Sequence, residues 1–159
     1  MEQVSFRRAD PDDAPHMLKV KHDAIRELTW HAYTPEQIDA WAPDADGIKD
    51  FANAIAQDTF YVVVAEQDGD LLGYGTLNRE AGSIDAVFTD PDSTRRGIGA
   101  ALMRQLESTA RMEGHDHLTL SASKNAVGFY EGHGYEQVEE VSRNLGGEAA
   151  PFVKMRKDL

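Results

Sequence analysis

The hydrophobic and polar positions divide the chain into a helix-rich first third and a strand-rich remainder. Between residues 14 and 29, apolar residues recur three or four positions apart, which is the spacing of one face of a helix. Asp10 and Pro11 stand where an N-cap and the first helical residue are expected. Two shorter helices are predicted near 34–41, where Thr34 and Gln37 form a capping-box pair, and near 47–57.

From residue 59 onward the period changes to that of β-strands. A β-branched and aromatic run at 59–67, the turn Asp68-Gly69 and a second run at 70–78 predict a β-hairpin, and a third strand is predicted at 83–90. The remaining predictions are a helix at 99–113, a strand at 117–121, a short helix at 124–132 and closing strands at 135–141 and 150–157. This order predicts one α+β domain covering residues 1–159, with an antiparallel sheet at its centre.

Composition and charge narrow the class of protein. The 159 residues are 41% hydrophobic and include no cysteine. No run of apolar residues reaches the length of a membrane span, and residues 1–15 lack the apolar core of a signal peptide. We therefore expect a cytoplasmic protein without disulfides, and no histidine shows metal-ligand spacing. The net charge of −12 disfavours nucleic acid as a partner; it suits a cationic acceptor, or it merely keeps the surface soluble. Without an apolar span we expect no membrane partner. The acidic composition with few lysines resembles that of halophilic proteins.

The segment 94–103, TRRGIGAALM, places a Gly-Ile-Gly at the start of a predicted helix. Unpaired N–H groups and the helix dipole bind anions at such a terminus, and glycine lets phosphate oxygens approach the backbone. Arg95 and Arg96 could add guanidinium contacts. The alternative is a helix start whose glycines serve close packing.

Two familiar phosphate motifs do not fit this segment. A Walker loop needs Lys-Ser or Lys-Thr after its last glycine, and none follows here. A dinucleotide fingerprint needs a third small residue in register and an acid at the end of the next strand, but the strand HLTLSAS ends without one.

The order IDAVFTDP, DSTRRGIGAALM, HLTLSAS and KNAVGFYEGHGYEQV resembles the GNAT acetyltransferase superfamily over roughly residues 60–140. The resemblance implies a three-layer α/β/α fold whose mixed, mostly antiparallel sheet contains a splayed strand pair. It also implies acetyl-CoA as cosubstrate, an amine acceptor and no metal. Dimers are frequent in the family, so a homodimer is one of the oligomeric states left open. Thr94 stands where the family usually has Arg or Gln, so the phosphate grip would depend more on backbone amides and the two arginines.

The resemblance also implies roles for individual residues. The backbone of one strand would hold the pantetheine arm and thioester, the Gly-Ile-Gly loop the pyrophosphate, and the next short helix would complete the site. The implied cofactor-binding residues are Val87, Phe88, Thr89, Arg95, Arg96, Gly97, Ile98, Gly99, Ala100 and Asn125. Tyr130 would be the catalytic acid near the thioester sulfur.

Alternatives stay open for several of these residues. Tyr130 is either an acid that protonates the thiolate or a core aromatic beside Phe129 and Tyr135. Asp85 alternates with Val87 on one strand face, so it is either the general base or a surface carboxylate. Glu66 and His31 are weaker candidates for the base. The aromatic residues of the first third form either an acceptor pocket or ordinary core: Trp30, Tyr33, Trp41 and Phe51.

Three readings of function compete. The first is an N-acetyltransferase, the second a catalytically silent acyl-CoA-binding or regulatory module on the same scaffold, and the third a small α+β protein whose Gly-Ile-Gly only packs a helix. Small-molecule amines, polyamines, amino acids, peptide N-termini and protein lysines all remain open as acceptors.

Overall fold

The computed structural model describes residues 3–42, 47–94 and 96–159, which leaves Arg95 outside the described residues. The helices are α1 (Ala14–Leu28), α2 (Pro35–Trp41), α3 (Ile48–Ile55), α4 (Ile98–Met112) and α5 (Val127–Glu131). The strands are β1 (Ser5–Arg8), β2 (Phe60–Gln67), β3 (Asp70–Asn78), β4 (Ser83–Thr89), β5 (His117–Ser123), β6 (Glu136–Leu145) and β7 (Glu148–Asp158). The predicted capping box is confirmed, since the Thr34 hydroxyl accepts from the Gln37 N–H while the Gln37 side chain accepts from the Thr34 N–H.

Among the described residues the strands form one sheet in the order β1-β2-β3-β4-β5-β7-β6. Every neighbouring pair is antiparallel except β4 and β5. These two parallel strands pair only at Ser83 with Thr119 and at Ile84 with Leu120. Beyond those pairs they run on to Thr89 and Ser123 without pairing each other, which opens a gap in the middle of the sheet.

Helices cover both faces of the sheet. Val63 and Ala65 of β2 pack with α4, whereas Val62 and Val64 pack with Met17 of α1 on the opposite face. Four consecutive residues of one strand are therefore buried, as expected for a strand covered on both sides. The predicted α+β fold with a helix–sheet–helix layering and a mostly antiparallel sheet is confirmed.

A buried polar network ties α4 to the strands behind it. The Tyr135 hydroxyl donates to Glu107 at 2.7 Å, and the Lys157 ammonium lies 3.0 Å from the same carboxylate. Glu107 is only 5% exposed, so its charge depends on these two donors. Burial and then the Glu107 carboxylate raise the pKa of Tyr135, which keeps the phenol as the donor.

The closing strands are longer than the sequence predicts. β6 extends to Leu145 and β7 begins at Glu148, so both reach the turn at Gly146 and Gly147. The early part of β6 lies at the sheet edge with almost every side chain exposed. A strand without an apolar face has no period-2 signal to read, which explains the short prediction.

Candidate active site

Two cavities meet where β4 and β5 separate. One, the α4 cavity, has a volume of about 380 Å³ and extends to the N-terminus of α4. The other, the α3 cavity, has a volume of about 270 Å³ and lies beneath α1 and α3. Residues of β4, β5 and the segment that follows β5 line both cavities, together with one residue of α2: Trp41, Val87, Phe88, Ser123, Ala126 and Tyr130.

The N-terminus of α4 forms one end of the α4 cavity. Gly97 is the N-cap with φ +76°, a left-handed conformation that glycine adopts without strain. Ala101 donates the first helical hydrogen bond, to the Gly97 carbonyl at 3.0 Å. The N–H groups of Ile98, Gly99 and Ala100 precede that bond, and all three residues line the cavity. This end of the cavity therefore offers donors suited to an anion.

Gly99 meets a different constraint from Gly97. A Cβ at Gly99 would lie 3.2 Å from the Phe129 ring, whereas one at Gly97 would meet nothing within 4 Å. Gly97 is thus required by backbone conformation, and Gly99 by the close approach of the Phe129 ring to the helix. The packing interpretation of the Gly-Ile-Gly is correct for Gly99, and the anion-loop geometry is present beside it.

The two described side chains before the glycines, those of Thr94 and Arg96, make hydrogen bonds within the protein. The Arg96 guanidinium donates to the Gln67 side chain at 2.9 Å, and Arg96 is not among the described residues that line the α4 cavity. The Thr94 hydroxyl donates to the Pro91 carbonyl at 3.2 Å, although Thr94 itself does line the cavity. Backbone N–H groups are therefore the main anion donors that the described part of the loop presents.

The predicted acid, Tyr130, lies at the junction of the two cavities. Its residue is 8% exposed, its ring packs edge-on to Phe129 and Tyr135, and its hydroxyl makes no hydrogen bond to the described residues. Burial raises the pKa of Tyr130, so the phenol is protonated at any ordinary pH. A proton donor that bonds to no described residue is available to a bound molecule.

The other implied cofactor residues lie along the same path. Val87 and Phe88 line both cavities, Thr89 lines the α4 cavity, and Asn125 lines it from the turn after β5. One edge of β4 pairs with β3, and the other faces the gap toward β5. Along that free edge the strand's N–H and C=O groups are available to a ligand.

The structure separates the candidates for a general base. Asp85 is the one carboxylate among the described residues lining the α3 cavity, and it accepts a hydrogen bond from the Ser83 hydroxyl at 2.8 Å. Glu66 instead pairs with Arg7 at 3.1 Å near the far edge of the sheet. His31 is exposed and packs against Trp30, and neither cavity has it among its described lining residues.

The aromatic residues of the first third have three different positions. Trp41 and Phe51 line the α3 cavity, whereas Trp30 is 69% exposed and lies outside both cavities. The Tyr33 hydroxyl donates to the Pro151 carbonyl at 2.7 Å and accepts from the Lys124 N–H at 3.0 Å. Tyr33 therefore joins the segment after α1 to β7 and to the end of β5.

Sequence reasoning missed two cations in the α3 cavity, Lys21 and Arg143. Lys21 stands on the buried face of α1, between the fully buried Met17 and Ile25. A lysine at a position where the helical period calls for an apolar residue was a usable signal. Arg143 gave no such signal, because it lies on β6, where nearly every side chain is exposed and no apolar position is expected at Arg143.

No group of three or more metal-ligating side chains is found within the described residues. The described helices also include none that is both long and apolar enough to cross a bilayer.

An open sheet with a splayed parallel pair, an anion-binding helix terminus at one end of the gap and a phenol at the cavity junction is the architecture of an acyl-CoA-dependent acyltransferase. A family model described as the acetyltransferase (GNAT) domain matches residues 29–159. The chain therefore belongs to the GNAT acetyltransferase family, and the predicted enzyme class, an acyltransferase of the N-acetyltransferase type, is confirmed.

Individual relatives agree with this assignment. A GCN5-related N-acetyltransferase from Rhodopseudomonas palustris, also described as "Aminotransferase, Class-II", superposes with a TM-score of 0.92 at 30% identity, covering 100% of this chain and 98% of that one. The peptidyl-lysine N-acetyltransferase YiaC of Escherichia coli is 30% identical over 138 residues, which cover 84% of each chain. The PaiA N-acetyltransferase of Thermoplasma acidophilum, solved in complex with coenzyme A, shares the fold with a TM-score of 0.80 at 19% identity, over 99% of both chains.

Proposed function

We propose that the chain, acting as one catalytic domain, transfers an acetyl group from acetyl-CoA to an amine by direct attack on the thioester. The observation that carries the proposal is the meeting of the two cavities at Tyr130, with an anion-binding helix terminus at the outer end of one of them. A donor in the α4 cavity and an acceptor in the α3 cavity would meet at that junction. The coenzyme A bound by the PaiA relative of the same fold supports the identity of the donor.

The donor would bind mainly through the backbone. The N–H groups of Ile98, Gly99 and Ala100 would hold the pyrophosphate, and the free edge of β4 at Val87–Thr89 would pair with the pantetheine amides. Asn125 would add a side-chain hydrogen bond from the other wall. Arg96, whose guanidinium donates to Gln67, would contribute charge near the phosphates rather than enclose them.

The reaction follows from this placement. The neutral amine nitrogen attacks the thioester carbonyl carbon, and backbone N–H groups of β4 stabilise the oxyanion that forms. The carbon–sulfur bond then breaks, and the departing thiolate takes the phenolic proton of Tyr130. The attacking nitrogen loses one proton as it becomes an amide nitrogen, and that proton passes through water to the phenolate and restores the acid. Burial raises the pKa of Tyr130, and it would also raise the pKa of a coenzyme A thiol bound beside it, so the departing thiolate would be basic enough to take the proton.

Asp85 is the proposed general base, directly or through water. It lines the α3 cavity, where the acceptor would sit, and the ammonium proton must leave before the nitrogen can attack. The Ser83 hydroxyl donates to one of its oxygens and fixes the carboxylate.

Release of coenzyme A over a panel of amines tests the proposal, with acetyl-CoA binding measured separately by calorimetry. Turnover of at least one amine together with binding supports an enzyme. Tight binding without turnover of any amine would favour the silent acyl-CoA-binding module, and absence of binding would leave the Gly-Ile-Gly as packing alone.

A further inference from the structure

Lys21 and Arg143 are two cations that line the α3 cavity. Within the described residues neither makes an ion pair, although Lys19 pairs with Asp23 at 2.6 Å and Lys157 with Glu107 at 3.0 Å. The full chain carries 28 acidic residues against 16 basic ones, so partners for two cations were abundant. Lys21 is half-buried and Arg143 is exposed, and both line the cavity without an ion pair to a described residue, which favours an anion supplied from outside.

The surroundings of Lys21 make its charge costly. It projects from the buried face of α1 into a cavity walled mainly by apolar side chains. Burial, and then the positive charge of Arg143, lower the pKa of Lys21. A bound carboxylate would reverse both effects, because it would replace lost hydration and separate two like charges.

Arg143 is positioned to share such an anion. Its guanidinium carbon lies 4.8 Å from the centre of the Phe152 ring, which supports the planar group without using its N–H donors. A guanidinium whose N–H donors are left free presents a fork that matches a carboxylate. Asp85 lines the same cavity but is not within ion-pair distance of Lys21 or Arg143, and it accepts a hydrogen bond from the Ser83 hydroxyl.

The other residues that line the α3 cavity indicate that its ligand has an apolar portion. Besides Tyr130 at the junction, six aromatic side chains among the described residues line this cavity: Trp41, Phe51, Phe60, Tyr74, Phe88 and Phe152. Their edge-on and tilted contacts form a continuous apolar wall from Phe51 through Tyr74 and Phe88 to Trp41 and Phe152. A molecule that satisfies this cavity has an anionic group and an apolar portion in addition to its reacting amine.

We infer that the acceptor is a small amino acid-like molecule, an inference that rests on the proposed acetyl transfer. Its carboxylate pairs with Lys21 and Arg143, and its apolar side chain packs against the aromatic rings of the α3 cavity. The nitrogen is then directed toward the cavity junction at Tyr130. Polyamines and lysine side chains are disfavoured, because a second cation would approach Lys21 and Arg143. This acceptor class differs from the peptidyl-lysine named for the Escherichia coli relative.

The test compares amino acids with the amines obtained by removing their carboxylate. The pairs are L-phenylalanine with phenethylamine, L-leucine with isoamylamine, and L-methionine with 3-methylthiopropylamine; L-phenylalaninamide retains the shape without the charge. In the wild-type enzyme we expect kcat/KM for at least one amino acid to exceed that of its partner amine about tenfold or more, the effect of one hydrogen bond to a charged group. Equal or better acetylation of the decarboxylated amines, or turnover of polyamines and lysine peptides alone, would overturn the inference.

The variant Lys21→Met keeps the length of the side chain and removes its charge. We expect it to lower kcat/KM for the amino acid by about 10- to 100-fold while the decarboxylated amine is unaffected or improved. Lys19→Met, on the exposed face of the same helix, is the matched control and should leave both substrates unchanged. Equal losses for amino acid and amine in Lys21→Met would indicate a structural or proton-transfer role instead.

Calorimetric titration of L-phenylalanine and phenethylamine into the protein with coenzyme A bound separates the two proposals. Carboxylate-dependent binding that Lys21→Met abolishes, without turnover of any amine, would support the anion site and refute the proposed reaction. Turnover of amines regardless of a carboxylate would support the reaction and refute the anion site.

Discussion

Replacing Tyr130 with phenylalanine removes one oxygen atom at the junction of the two cavities and leaves the ring packing intact. The ring centroid lies 5.1 Å from that of Phe129 and 6.0 Å from that of Tyr135, and both contacts survive the substitution. The hydroxyl makes no hydrogen bond to the described residues, so the variant breaks none and should unfold at nearly the wild-type temperature.

The effect on catalysis should be large by comparison. A positioned general acid accounts for about 10²- to 10⁴-fold in rate, so we expect kcat to fall by that factor while Kd for acetyl-CoA changes little. Water in the vacated space can protonate the thiolate less efficiently, which sets the lower end of the range.

Tyr135→Phe is the matched control, since it removes the same atom from the neighbouring tyrosine. There the hydroxyl donates to the buried Glu107 at 2.7 Å, and a hydrogen bond to a charged group contributes about 1.5–3 kcal/mol. For a chain of this size the expected loss is about 3–12 °C in Tm, with kcat nearly unchanged. Steady-state kinetics and thermal unfolding of both variants measure the two predicted effects. An unchanged kcat in Tyr130→Phe, or equal losses of Tm in the two variants, would refute the assignment of the acid.

Three further substitutions, two of them paired with a control substitution, probe other parts of the site and fold. Gly97→Val forces a β-branched residue into φ +76°, at a cost of about 1–2 kcal/mol, and should also weaken acetyl-CoA binding in calorimetry. Gly114→Val, at φ +90° beyond the other end of α4, should lose comparable stability with unaltered binding, and equal affinities would count against the anion loop. Asp85→Asn should lower kcat/KM by about 10²-fold or more, whereas Asp70→Asn on the β2–β3 hairpin should not; full activity in Asp85→Asn would exclude it as the base. Arg7→Met removes the hydrogen bonds that lower the pKa of Asp13. Their contribution to folding stability is present at neutral pH and is lost as the pH falls below about 4, so the Tm difference from wild type should shrink in acid. A Tm difference that does not depend on pH would contradict the ion pair.

Local signals explain why most of the fold could be predicted from the sequence. Thr34, Pro35 and Gln37 determine where α2 begins through contacts within four residues, and Asp68 and Gly69 adopt the positive φ values that a tight hairpin requires. The gap between β4 and β5 has no local signal of its own, because it depends on which strands become neighbours. Its presence followed from the family resemblance and not from periodicity.

The candidate site also has residues that the sequence predicts and residues that it does not. Gly97, Gly99 and Tyr130 belong to contiguous motifs, so their positions could be predicted from the motifs alone. Lys21 and Arg143 lie 122 positions apart in the sequence, and only the folded chain brings them to one cavity. Arg96 shows the converse, since a basic residue beside the motif turns away and bonds to Gln67.

The shared wall of the two cavities has a kinetic consequence. Because donor and acceptor would occupy separate chambers that touch at Trp41, Val87 and Tyr130, both can be bound at the same moment. The chain has no cysteine to carry an acetyl group between half-reactions, and a protonated phenol is a poor nucleophile. We therefore expect a ternary complex, with double-reciprocal plots that intersect when the two substrates are varied in turn, in contrast to the parallel lines of a ping-pong enzyme.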